Sequence, residues 1–106
     1  MRKSTRALLT PAAVRDLRRI RRWILRESGR MRADRIVETL VSIMERLVEL
    51  PAMGAPRPSF GADVRCFVNR PYLVFYRRIG DRVQILRVID GRRDLQTAWQ
   101  EDNPLQ

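Results

Sequence analysis

Arginine is the side chain through which this sequence could act. Lys and Arg number 22 against 12 Asp and Glu in 106 residues, a net charge of +10, and every basic residue except Lys3 is arginine. A guanidinium carries its donors in a planar fork that matches carboxylate and phosphate two bonds at a time, which an ammonium does not. Three groups stand out. Arg15, Arg19 and Arg22 recur beside Trp23; Arg65, Arg77 and Arg87 lie in β-rich runs; Arg92 and Arg93 follow Gly91 and precede Trp99. Such a charge calls for an anionic partner, whether nucleic acid, an acidic protein or both. Other chemistries are excluded. There is no histidine and Cys66 is the only cysteine, so a His base, a disulfide framework and the usual zinc spacings are all missing. No metal or cofactor is expected.

The elements that must position these arginines are legible in order. The 44% apolar content fits a folded chain, and the length fits one domain over 1–106. Met1-Arg2-Lys3 is followed by too short an apolar run for a signal peptide, and nothing approaches a membrane span, so a cytoplasmic protein is expected. Thr5–Leu9 reads as a short strand. Thr10 can cap the free amides of a helix that opens on Pro11. Ala13, Leu17, Ile20 and Ile24 then recur on one face to about residue 28, with Arg15, Arg18, Arg19, Arg22 and Arg26 opposite. That stripe is either an ordinary solvated surface or a docking surface whose mutual repulsion an acidic ligand relieves. Gly29 stops the helix.

Met31–Leu50 reads as a second helix, with an apolar stripe from Ala33 to Val48 wide enough to touch both the first helix and a sheet. Pro51–Gly61 is a loop and Val64–Val68 a strand. Cys66 is read as a small core residue, and Met31, Met44 and Met53 as core filler. Tyr72–Ile79, Gly80-Asp81 and Arg82–Ile89 form the strongest local signal, a β-hairpin whose apolar centres call for cover on both faces. The expected architecture is α+β: a helix hairpin packed on a small antiparallel sheet in the order β-α-α-β-β-β. Arg87 shares strand parity with Val83, Ile85 and Ile89, and Asp90 or Asp94 could pair with it. Alternatively Arg65, Arg77 and Arg87 form a cationic site at one end of the sheet. Trp99, beyond the last strand, either folds back over the sheet or projects with Arg92 and Arg93 as an aromatic-cationic patch.

Taken together, L-L-T-P-A-A-V-R-D-L (8–17), the Leu50-Pro51…Gly54…Arg57 loop, Arg65, Y-L-V-F-Y-R (72–77) and I-L-R-V-I-D-G-R-R-D-L (85–95) resemble the RelE/ParE toxin superfamily. The resemblance implies a toxin of a type II toxin–antitoxin pair, and within it two activities. RelE-like members are ribosome-dependent mRNA endonucleases that use Arg, Lys and a C-terminal Tyr; ParE-like members poison DNA gyrase by binding. The nuclease pattern places an Arg where this chain has Leu73 and a Tyr where it has Trp99, and Trp has no ionisable hydroxyl. Its lysine cluster is missing, although Arg93 matches one of its arginines. The ParE-like reading is therefore preferred, with the mRNA endonuclease as the alternative. A plain nucleic-acid-binding module ranks third, since aromatics make up only 7% and form no stacking array. The resemblance further implies a hetero-oligomer with a ParD-like antitoxin. The antitoxin would carry the contact to operator DNA and wrap the toxin with an acidic C-terminal segment. Arg15, Arg19, Arg22 and Trp23 are the candidates for receiving that segment; Arg92, Arg93 and Trp99 are the candidates for toxicity through gyrase.

Overall fold

The computed structural model describes residues 7–106. The elements run β1 (Ala7–Leu9), α1 (Pro11–Ser28), α2 (Arg30–Glu49), β2 (Ala55–Pro56), β3 (Arg65–Asn69), β4 (Tyr72–Ile79), β5 (Arg82–Asp90) and α3 (Leu95–Glu101). The start of the first expected strand, Thr5 and Arg6, lies outside the described residues, as do Met1-Arg2-Lys3. Gly29 alone separates the helices; its φ of 90° lies in the left-handed region that suits glycine, and the chain reverses there into an antiparallel hairpin. Thr10 caps α1 as the sequence predicts, accepting from the Ala13 amide at 3.0 Å. The same hydroxyl donates to the Leu86 carbonyl at 2.7 Å, so the cap also ties α1 to β5.

The α+β plan holds, and the sheet is larger than expected and mixed. Its order is β1-β5-β4-β3-β2, with β1 parallel to β5 and the remaining pairs antiparallel. Both faces of the hairpin are covered. On one face Ile24, Leu40, Met44 and Leu47 pack against Val74, Tyr76, Val83 and Ile85. On the other, Phe60, Val64, Cys66, Phe75, Leu86, Ile89 and Trp99 form a second core. Burying an aliphatic side chain is worth about 1.5–3 kcal/mol, so the two cores share the work of holding the sheet.

The strict two-residue alternation fails in β5. Tyr76 pairs with Ile85 and Phe75 with Arg87, which leaves Leu86 as the extra residue of a bulge. Val83 and Ile85 therefore face the helices, while Ile89 faces the second core. The parity expected to place Arg87 with all three does not survive the bulge. At the other end of the sheet the Tyr76 hydroxyl accepts from the Gly54 amide and donates to the Pro51 carbonyl, both at 2.8 Å, which pins the loop after α2.

Candidate functional site

The arginines sort by what already holds them. Arg87 is completely buried. Its Nε and Nη2 donate to the two carboxylate oxygens of Asp16 at 2.6 and 2.9 Å. Its Nη1 donates to the carbonyls of Ala98, Trp99 and Asp102. A helix end leaves most of its last carbonyls without intrahelical partners; of these three only the Trp99 carbonyl has another, the Asp102 amide at 3.3 Å, so Arg87 caps α3 at its C-terminus. Asp16 also accepts from the Val88 amide at 2.9 Å. One ion pair thus joins α1, β5 and α3. The expected partners Asp90 and Asp94 are engaged elsewhere: Asp90 with Arg92, and Asp94 as the N-cap of α3, accepting from the Thr97 amide. Periodicity hides Asp16, because it falls among arginines on a helix read as apolar on one side only.

Arg65, Arg77 and Arg87 do not form one cationic site. Arg65 donates to the Gly54 carbonyl at 2.6 Å, Arg77 donates to the Gln84 side chain at 2.9 Å, and Arg87 lies inside. Trp99 is not part of a projecting patch. It is 3% exposed, with its ring centroid 5.0 Å from that of Phe60 and 5.4 Å from that of Phe75. The physical reason is the second core: α3 closes it, and Trp99 is the largest side chain α3 brings to it. Arg15, one of the candidates for an acidic segment, is engaged in a two-bond pair with Asp102 at 2.7 and 2.9 Å.

Arg92 and Arg93 have a different neighbourhood from the one expected. With Arg19 and Trp23 they surround a groove of ≈ 280 Å³ between α1 and the far end of β5, over Ile20, Tyr72 and Val88. Two residue groups read separately in the sequence therefore line one concavity. Its floor is apolar and its rim carries Arg19, Arg92 and Arg93; Asp16 and Asp90 also line it, already paired with Arg87 and Arg92. Trp23 is 47% exposed, and Arg19 and Arg22 make no hydrogen bond or ion pair among the described residues. Beside this groove, among the described residues, β5 has no strand on its outer side beyond Ile85; Thr10 takes the Leu86 carbonyl there and Asp16 the Val88 amide.

The electrostatics follow from these pairings. Asp90 accepts from the Arg92 side chain and amide, and the side-chain bond above all holds its carboxyl below the ordinary 3.8. Asp102 is lowered in the same way, first by its bond to Arg15. Burial raises the Tyr72 hydroxyl, so the tyrosine presents a neutral group to the groove. Burial also pushes the Cys66 thiol up to about 11, which fits a core residue. Among the described residues, no group of three or more Cys, Asp or Glu could hold a metal ion, and no helix is long and apolar enough to cross a membrane.

Residues 7–95 match the family described as ParE toxin of type II toxin-antitoxin system, parDE. The chain is 32% identical over 90 residues to Toxin ParE3 of Caulobacter vibrioides (strain ATCC 19089 / CIP 103742 / CB 15), covering 85% of this chain and 90% of that toxin. Its structure resembles a chain of the chromosomal ParDE TA system from P. aeruginosa with a TM-score of 0.69 at 29% identity, over 79% of this chain and 92% of the other. The chain belongs to the ParE toxin family of type II toxin–antitoxin systems.

Proposed function

We propose that this toxin inhibits DNA gyrase by binding, without chemistry of its own, and is neutralised by a cognate antitoxin whose acidic segment docks along α1. The observation that carries the second half is the groove where Arg19, Trp23, Arg92 and Arg93 meet over an apolar floor. A cationic rim around buried apolar surface suits a peptide that offers carboxylates on either side of an apolar anchor, and Trp and Arg dominate interfaces of that kind. Arg19 and Arg22 need no internal bond broken before they pair with it. The antitoxin, in turn, carries the contact to operator DNA. Family membership supports the first half. The side chains argue against the nuclease alternative, because Leu73 offers no charge to a phosphate and Trp99 is sealed in the core.

Purified toxin tests both halves. The expected result is inhibition of gyrase supercoiling with no cleavage of mRNA on translating ribosomes. Site-specific cuts lost on Arg93→Ala would overturn the assignment. Arg19→Gln with Arg22→Gln should weaken antitoxin binding and flatten its salt dependence, since screened surface charges steer association. Unchanged affinity at both low and high salt would remove this face of α1 from the interface.

A further inference from the structure

The end of the sheet that carries the α1 groove has a second concavity on its opposite face. It measures ≈ 330 Å³ and is lined by Val68, Arg70, Pro71, Leu73, Gly91 and Arg92. Val68 and Leu73 are paired across β3 and β4 and face the side of the second core. The strand next to it is open. β2 pairs with Arg65 and Cys66 only, so Phe67–Asn69 have no strand on their outer side. Val68 is 52% exposed, a large apolar side chain left in solvent on a sheet edge. Arg70 makes no hydrogen bond or ion pair among the described residues.

We propose that this surface is where the toxin grips its target, and that its occupant is an extended protein segment bearing an apolar side chain flanked by carboxylates. The inference rests on the binding, non-chemical reading above and names the site of that contact. Three observations commit it to such a segment. An unpaired strand edge is a template on which another extended chain adds by main-chain hydrogen bonds, with alternate side chains reading the pockets beside it. Val68, Pro71 and Leu73 supply one such pocket, and it is apolar. Arg70 and Arg92 set its charge, in a chain of net charge +10, so carboxylates are complementary to it. A nucleic acid would satisfy the charge but not the rest. Phe60, Phe75 and Trp99 are buried, and no aromatic residue lines the concavity to stack a base.

The geometry also gives neutralisation a route. Arg92 lines both concavities. A segment seated in the α1 groove and paired with Arg92 covers the rim of the target surface on the other face. Antitoxin and target then compete across one side chain, although most of each footprint is separate.

Val68→Asp combined with Arg70→Glu tests this surface, since both positions are exposed and the fold should be kept, as circular dichroism and melting will show. The expected result is antitoxin affinity close to that of the wild type, half-inhibition of gyrase at about tenfold higher toxin concentration or more, and loss of growth arrest. Should the double variant fail to fold, Arg70→Glu alone gives the same comparison. Full inhibition and growth arrest by the folded variant overturn the proposal. So does a matching loss of antitoxin affinity, which would make this the antitoxin's surface. Loss of duplex DNA binding with gyrase inhibition intact would replace the protein segment by nucleic acid, and also overturns it. If the wild type arrests growth without touching gyrase, the gyrase reading fails, while growth arrest by the variant still decides this one. A wild type that does neither overturns both.

Discussion

Replacing Asp16 by Ala should be the most damaging single change in α1, although it removes the only acid from a run crowded with arginine. In the folded protein the Asp16 carboxylate accepts three hydrogen bonds, two from Arg87 and one from the Val88 amide. Deleting it leaves a guanidinium with no solvent exposure and no counter-ion, held by three carbonyls through Nη1 alone. Removing one partner of a buried ion pair costs about 3–5 kcal/mol, because the other charge stays desolvated. Against a total stability on the order of 5–15 kcal/mol, that is a large share. At roughly 4 °C per kcal/mol, the lower end for a domain of this size, the melting temperature should fall by about 12–20 °C. Thermal and urea unfolding of Asp16→Ala, Arg87→Met and the double variant make the cycle. The double variant should be less damaged than the sum of the singles, with a coupling of about 1–3 kcal/mol, since it removes the stranded charge. It should remain below wild type, because the Val88 amide and the α3 carbonyls lose their partners. Additive single effects, or a loss under about 1 kcal/mol for Asp16→Ala, would refute the account of Arg87 as the joint between α1, β5 and α3.

Trp99→Ala should lower stability by about 3–5 kcal/mol, measured by urea unfolding, because it empties the centre of an aromatic cluster rather than trimming a surface. Gly54→Ala should reduce the melting temperature and loosen the loop after α2, since its Cβ would lie 2.7 Å from the Tyr76 hydroxyl and 2.8 Å from the Cys66 carbonyl. Cys66 should react slowly with iodoacetamide in the native protein and quickly in urea, its thiol being both buried and raised to about 11. The Asp90 and Asp102 carboxyls are lowered by Arg92 and Arg15. Whatever they stabilise is therefore fully present above 3.8 and is lost as the pH falls through their lower folded values; carboxyl NMR titration in low and high salt should show those values and their screening.

Local signals proved legible and long-range ones did not. Thr10-Pro11, Gly29 and Gly80-Asp81 each act through neighbours a few residues away, and the helix starts and the hairpin turn fall where those residues predict. The parallel pairing of β1 with β5 joins Ala7 to Val83, and no local pattern encodes a contact across so much chain. β2 is two residues long and half proline, so it leaves no periodicity to read. The bulge at Leu86 is the costliest omission, since it turns Arg87 away from the face that alternation assigns to it. Of the site, the residue types were legible and their grouping was not. Arg19 and Trp23 on α1 meet Arg92 and Arg93 through the packing of a helix on a strand edge.

That packing also narrows what the large positive charge means. Arg15, Arg87, Arg92 and Arg93 each hold a carboxylate of the same chain, so much of the arginine content is structural. Three of those four pairs involve the C-terminal stretch from Asp90 to Asp102, and Arg87 adds the carbonyls of α3 to its bond with Asp16. The basic residues thereby fasten the short last helix over the second core, which its seven residues would not achieve by propensity alone. Among the arginines that hold no carboxylate here are Arg19 and Arg22 on α1 and Arg70 on the opposite face of this end of the sheet. Arg92 stands between them, already bound to Asp90 and exposed to both grooves. A partner that takes Arg92 must either share it with Asp90 or displace it. Binding at either groove should therefore strengthen when Asp90 is replaced by Asn, which frees the guanidinium at the cost of a pair that solvent already weakens.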